Sequence, residues 1–69
     1  MEAWTTEEFG EKRLIFKAED LDRLKEVQKL GQFHFNIHYE KGSNWCWISE
    51  VDIASALYSI TSLYTLTVM

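Results

Sequence analysis

Four side chains that could do chemistry lie within residues 33–51: both histidines, the only cysteine and a glutamate. They are His34, His38, Cys46 and Glu50. A cysteine beside a histidine can act as a thiolate nucleophile, and two histidines with a cysteine can hold zinc. Four residues along a strand span roughly 13 Å at about 3.3 Å per residue, so His34 and His38 are too far apart for one ion without a bend. We therefore predict an ordinary solvated sheet face, with no metal and no cofactor.

The sequence around these groups predicts a β-hairpin. Apolar and aromatic residues occupy every second position of residues 33–39, which is typical of a strand with one buried and one wet face. Residues 45–49 are again rich in β-formers, and the intervening residues 41–44 have the composition of a turn. The hairpin residues expected in the core are Phe33, Phe35, Ile37 and Trp47.

The hairpin has two candidate registers. A two-residue turn would place His38 opposite Trp47 and would mix apolar with polar side chains on each face. A loop of three or five residues would pair Tyr39 with Trp45 and place His38 opposite Cys46, which separates the aromatic face from the polar face. A slip of one residue reverses every side chain, so the more consistent pattern should be selected. We expect the odd-length loop.

Composition limits the size and the class of the protein. Its 69 residues make one domain, residues 1–69. A net charge of −4, from 11 acidic and 7 basic residues, argues against a basic nucleic-acid-binding surface. A single cysteine cannot form an internal disulfide, and residues 1–8 lack the features of a signal peptide, so we predict a cytoplasmic location. The uncharged residues 53–69 are fewer than the roughly 20 that a membrane span needs, which predicts no membrane association.

The N-terminal residues fit two interpretations. Thr5 and Glu8 have the spacing of a capping box, which could begin one helical turn. Alternatively, residues 3–9 form an edge strand that turns at residues 10–12 into a second, apolar strand at residues 13–18. The strand is favoured because Trp4 needs burial and threonines are common in strands.

The clearest helix covers residues 19–30. Its leucines and valine recur at helical spacing on one narrow stripe, which we expect to pack on the aromatic face of the hairpin. Gly31 is the expected C-terminal cap. Glu19 and Arg23 have the (i, i+4) spacing of an ion pair, worth only a few tenths of a kcal/mol.

The uncharged tail combines a helical and a strand pattern. Ser49 and Asp52 fit a capping box, which predicts a helix at residues 51–59. The alternating, β-branched residues 63–68 predict a final strand. That strand could be a free edge that pairs with a second copy, or a buried central strand, and the buried position is favoured.

These elements predict an α+β fold. A small antiparallel sheet of three to five strands is packed on one face by the amphipathic helix 19–30 and by a second short helix, in the order β-α-β-β-(α)-β.

The sequence contains no phosphate loop, catalytic triad, paired catalytic carboxylates or metal-binding spacing. We therefore predict a small acidic, non-enzymatic protein-binding module. It would be an inhibitor or adaptor of a larger protein or enzyme, of a size class often encoded by phages or mobile elements, with a homodimer through the C-terminal strand as a further option. The predicted protein-binding residues are Tyr39, Trp45, Lys41, Glu19, Asp22 and Glu26.

Two alternatives remain. The first is a regulator that binds nucleic acid by stacking bases on Trp45, Trp47 and Tyr39, although few basic residues surround them. The second is a small metal-dependent or thiol-dependent protein that uses His38 and Cys46.

Overall fold

The computed structural model describes residues 1–69 as a five-stranded sheet with two helices on one face, which confirms the α+β prediction. The elements in chain order are β1 (Glu2–Glu8), β2 (Glu11–Lys17), a 3-10 turn (Ala18–Asp20), α1 (Leu21–Leu30), β3 (His38–Tyr39), β4 (Trp45–Ser49), α2 (Glu50–Leu63) and β5 (Thr67–Val68). The strands lie in the order β3-β4-β2-β1-β5. The core therefore forms between the sheet and the two helices.

The sheet is mixed, because one of its four pairings is parallel. β1 and β2 form an antiparallel hairpin that pairs Trp4 with Ile15, and β4 pairs antiparallel with both β2 and β3. β5 pairs in parallel with the start of β1, through Glu2 and Thr67. The N-terminal residues are thus a strand, as favoured, but β1 has a neighbour on each side and is not the edge that we expected.

Alternation along the strands builds the core. In β2, Leu14 and Phe16 point towards the helices and are fully buried, and Cys46 and Ile48 of β4 face the same way. The predicted stripe of α1 supplies the opposing wall, where Leu24 is fully buried. The other fully buried apolar residues are Ala3, Val27, Phe35, Ala56 and Ile60.

Gly31 ends α1 for a reason other than the one predicted. Its backbone is extended, with φ −72° and ψ 154°, so no left-handed conformation requires glycine. A Cβ at this position would lie 2.8 Å from the carbonyl oxygen of Val27 and 3.0 Å from Oγ of Ser59 in α2. Glycine therefore permits the end of α1 to approach α2 closely.

The predicted Glu19–Arg23 ion pair is wrong. Arg23 instead contacts Asp20, with 3.2 Å between the guanidinium nitrogen and the carboxylate oxygen. Glu19 lies in the 3-10 turn before α1. The (i, i+4) geometry of a continuous α-helix therefore does not apply to it.

The register of the β3–β4 hairpin is also different from the prediction. His38 lies opposite Trp47 and Tyr39 lies opposite Cys46, which is the register of a two-residue turn. A turn over residues 40–43 closes the hairpin, with Gly42 at φ +87°. Residues 31–37 are not part of the sheet, so only two residues of β3 are paired. The alternation of apolar and polar residues over 33–39 therefore could not determine the register.

Two aromatic residues lie away from their predicted positions. Trp47 lies on the sheet face that points away from the helices and is only partly buried, although we expected it in the core. Phe33 is 45% exposed, whereas Phe35 is fully buried. Ile37 packs partly buried against the core, as expected.

The tail contains both predicted elements with different lengths. The helix α2 extends to Leu63, beyond the predicted end at residue 59, and β5 has only two residues at the sheet edge rather than a central position. Ser49 occupies the N-cap position without a side-chain hydrogen bond, and Asp52 accepts a hydrogen bond from the Asn36 backbone amide instead, so the predicted capping box is wrong. Neither helix has the length and apolar character that a membrane crossing requires.

Candidate functional site

The sheet face turned away from the helices carries all three tryptophans. In each strand every second side chain points to this face. The pairing of β1, β2, β3 and β4 places those side chains next to one another. We call this surface the tryptophan face and define it by Trp4, Arg13, Ile15, Lys17, His38, Trp45 and Trp47. Because α1 and α2 both pack on the other side of the sheet, no helix covers these side chains.

Trp47 is held between two side chains. The His38 ring stacks on it with centroids 4.0 Å apart and an interplanar angle of 11°, and Cζ of Arg13 lies 3.9 Å from the Trp47 ring centroid. His38 and Arg13 come from the strands on either side of β4, so they cover opposite faces of the indole. The cation–π contact fixes the guanidinium of Arg13, whose Nε is buried without a hydrogen-bond partner. Trp47 therefore offers a partner only its edge.

Trp4 and Trp45 form an aromatic pair on the accessible part of the tryptophan face. Their rings meet edge to face, with centroids 5.7 Å apart and planes at 87°, a preferred geometry for aromatic pairs. Nζ of Lys17 lies 5.8 Å from the Trp4 ring. Trp45 is 47% exposed, and the pair lines a surface depression of about 460 Å³ with Ile15.

The structure brings together only some of the predicted binding residues. Glu19 and Trp45 line the same surface depression, because the Ala18 amide donates a 2.8 Å hydrogen bond to the Asn44 carbonyl and ties the 3-10 turn before α1 to the hairpin. Tyr39 is exposed and lines another depression, of about 440 Å³, with Trp45, although its position opposite Cys46 assigns its side chain to the other face of the sheet. The remaining predicted residues, Lys41 in the turn and Asp22 and Glu26 on α1, are exposed and separate from this depression.

Sequence reasoning missed the contribution of the first two strands to this surface. Trp4, expected to be buried, is half-buried on this face, and Arg13 and Lys17 lie beside the tryptophans. The alternation of Arg13, Ile15 and Lys17 with buried Leu14 and Phe16 was the available signal, because it separates two faces of one strand. It does not by itself show which other strands share the outer face.

The candidate chemical groups do not converge. His38 lies on the tryptophan face and Cys46 lies in the core, so the predicted pairing of these two side chains is wrong. Burial, with a smaller contribution from the negative charge of Asp20, raises the pKa of the Cys46 thiol from 9.0 to about 11. His34 Nε2 makes a 3.1 Å hydrogen bond with Asn36 Oδ1, away from both. No three of the histidine, cysteine, aspartate and glutamate side chains are grouped so that they could hold a metal ion.

Cys46 is expected to be unreactive towards thiol reagents in the folded protein. At pH 8 its labelling by a disulfide reagent should be at least about 100-fold slower than in urea, because so little thiolate is present at a pKa near 11. The unfolded chain releases this proton from about pH 9.0 and the folded chain only near 11, so the free energy of unfolding should fall as pH rises through this interval. Cys46→Ala serves as the control, in which the alkaline fall should be smaller. Rapid labelling of the folded protein at pH 8 would contradict this expectation.

Comparisons with known proteins do not add a function to this geometry. No family model, no curated protein and no solved structure matched the chain. A function must therefore be inferred from the side chains that the fold exposes, and above all from the tryptophan face.

Proposed function

We propose that this chain is a small non-enzymatic protein-binding module, an inhibitor or adaptor that engages a larger protein through the tryptophan face. The observation that carries the proposal is the edge-to-face pair of Trp4 and Trp45 on a sheet face that no helix covers. Exposed tryptophans of this kind are common anchors of protein interfaces, because they bury a large area at a small cost in side-chain entropy.

The charges around the pair support a protein partner. Lys17 lies beside Trp4, while Glu8 and Glu19 lie next to the two depressions that the tryptophans line. An apolar centre with a rim of mixed charge is typical of protein–protein interfaces. The net charge of −4 also opposes binding to a phosphate backbone.

The non-enzymatic part of the proposal is supported by the positions of the reactive groups. Cys46 is buried with a raised pKa, and the nearest histidine in the strand pairing, His38, stacks on Trp47 on the opposite face of the sheet. Because the two side chains lie on opposite faces of the sheet, the histidine cannot activate the thiol as a nucleophile. A phage or mobile-element origin and a cytoplasmic location remain predictions from the size and composition of the chain.

A second candidate function is the binding of single-stranded nucleic acid. The observation that favours it is the presence of Arg13 and Lys17 on the same face as the tryptophans. Against it, both faces of the Trp47 ring are already occupied, which leaves Trp45 and Tyr39 of the three residues predicted to stack bases. We rank this function second.

An affinity capture from extract of the native cells tests both functions. The tagged protein should retain one saturable protein partner after nuclease treatment, and Trp45→Thr should reduce its recovery at least about tenfold, as expected for an interface anchor. Tyr58→Thr is the matched control, because Tyr58 is an exposed aromatic residue on α2, on the other side of the sheet. Recovery that disappears with nuclease would favour nucleic acid, and equal recovery with Trp45→Thr and Tyr58→Thr would contradict the role of the tryptophan face.

Self-association through β5 remains a separate prediction. β5 is at the sheet edge, so the outer side of its backbone is available to another strand. However, only Thr67 and Val68 are in strand conformation, which gives a second copy a short edge to extend.

A further inference from the structure

The tip of the β1–β2 hairpin presents a side chain that the fold does not use. Phe9 is fully exposed, although it is a large aromatic residue. It is also the only residue other than glycine with a positive φ, at +53°, and Gly10 follows at +78°. Two consecutive positive φ angles define the two-residue turn that matches the twist of a hairpin, and its first position is normally asparagine, aspartate or glycine.

Both properties of Phe9 work against stability. A left-handed conformation brings Cβ close to the backbone and is a genuine outlier for a bulky residue. Exposure of the ring also gives none of the burial that normally compensates for an aromatic side chain. Local choices that oppose the fold without a structural benefit are expected at functional sites.

Three of residues 7–12 are glutamates and one, Lys12, is basic, so this hairpin tip is acidic overall. Glu8 and Glu11 face each other across the two strands, a like-charge pairing that is itself unfavourable. Glu50 is also close, because its Oε1 accepts a 2.8 Å hydrogen bond from the backbone amide of Lys12. Exposed Val51 lines a surface depression together with Glu11 and Glu50. We define the hairpin-tip surface by the residues Glu8, Phe9, Glu11, Glu50 and Val51.

We infer that the hairpin-tip surface is a second contact with the protein partner, in which Phe9 enters an apolar pocket rimmed by lysine or arginine side chains. The inference rests on the proposed protein-binding function and adds the chemistry of the partner. A projecting hairpin fits a concave site, the Phe9 ring requires that site to be apolar, and Glu8, Glu11 and Glu50 require a basic rim.

The same charges disfavour other occupants. The three glutamates repel anionic lipid head groups and phosphate backbones, so neither a membrane surface nor a nucleic acid complements this tip. A second copy of the chain offers Arg13 and Lys17 on its tryptophan face, but Arg13 is already held against Trp47. A net charge of −4 on each copy also opposes contact between two copies.

Photo-crosslinking from position 9 tests the inference directly. Phe9 is replaced by p-benzoylphenylalanine in the full chain, which is irradiated in native-cell extract, and the adduct is mapped by mass spectrometry. We expect one protein to be crosslinked, at a segment flanked by lysine or arginine. The same crosslinker at Tyr58 is the control and should not give this adduct. Adducts on many abundant proteins, on a surface without basic residues, or on a second copy of this chain would overturn the inference.

The variant Phe9→Asn separates an effect on partner binding from an effect on stability. Phe9→Asn supplies the residue that the turn prefers, so its Tm should rise by about 4 °C, while recovery of the partner in low salt falls at least about tenfold. Unchanged recovery with Phe9→Asn would refute the inference. If Trp45→Thr nevertheless lowers recovery, the proposed function survives alone. If the unmodified protein recovers no saturable partner, the proposed function and the inference both fail.

Discussion

Replacing Phe35 by alanine is expected to lower the free energy of unfolding by about 3–4 kcal/mol, the usual cost of removing a fully buried phenylalanine. Phe35 is 0% exposed and is the only buried residue of the irregular segment 31–37. Its carbonyl oxygen accepts a 2.7 Å hydrogen bond from Nε2 of Gln28 in α1, so ring and backbone both fix this segment. A domain of this size rarely has more than about 3–5 kcal/mol of stability, so much of the Phe35→Ala protein should be unfolded at room temperature.

The chain provides a matched control two residues away. Phe33 has the same side chain but is 45% exposed, and its main aromatic contact is Tyr58, with ring centroids 5.0 Å apart. Phe33→Ala should therefore cost only about 1 kcal/mol, close to the value of an aromatic pair. Urea unfolding followed by circular dichroism measures both variants. A cost for Phe35→Ala no greater than that for Phe33→Ala would show that Phe35 does not anchor the segment.

Gly31→Ala is the second substitution with a large expected effect, a loss of about 2 kcal/mol from overpacking. Its φ of −72° would accept alanine, and the smaller conformational entropy of the unfolded chain would even favour the change. The steric effect is larger, because the new Cβ would be 2.8 Å from the backbone oxygen of Val27, which cannot rotate away. Thermal unfolding should give a Tm lower by about 8 °C or more.

Substituting asparagine at two different glycines distinguishes this steric cause from the cost of an unfavourable backbone conformation. Gly42 has φ +87°, and a Cβ added there would meet no atom within 4 Å, so the cost of a side chain comes from the dihedral angle alone. Asparagine tolerates that region, so Gly42→Asn should be nearly neutral, whereas Gly31→Asn should be at least as harmful as Gly31→Ala. Equal effects of asparagine at the two positions would mean that close contact of a Gly31 side chain with the Val27 oxygen and with Ser59 does not set the cost.

Local sequence patterns were sufficient to predict the elements whose apolar residues and boundaries lie within one short stretch of the chain. Periodicity predicted the helix at residues 19–30 and apolar composition the strand at residues 13–18, and the structure has them as α1 (Leu21–Leu30) and β2 (Glu11–Lys17). The helix α2 and the strand β5 were also expected, with other lengths. In each case a short stretch of sequence contains both the apolar face and its boundary.

The tryptophan face could not be predicted because it depends on which strands become neighbours. Alternation in residues 33–39 suggested one strand with Phe35 and Trp47 on the same side. In the structure Phe35 instead packs in the core outside the sheet. The short β3 pairs with β4 in the other register. Trp47 then fell on the outer face, where Trp4 arrives from the distant N-terminal hairpin. Pairing between strands far apart in sequence is not recorded in either strand alone.

The parallel pairing of β5 with β1 also has a consequence for synthesis of the chain. The Met1 nitrogen donates a 2.9 Å hydrogen bond to the Thr65 carbonyl, 64 positions away, so this side of β1 is completed only after β5 has left the ribosome. Until then, the nascent hairpin has a free strand edge that could recruit another polypeptide and aggregate. Glu7 and Glu8 lie on the part of β1 that β5 never reaches, and charges at these positions discourage strand addition. We therefore expect the acidic end of β1 to reduce aggregation of the growing chain.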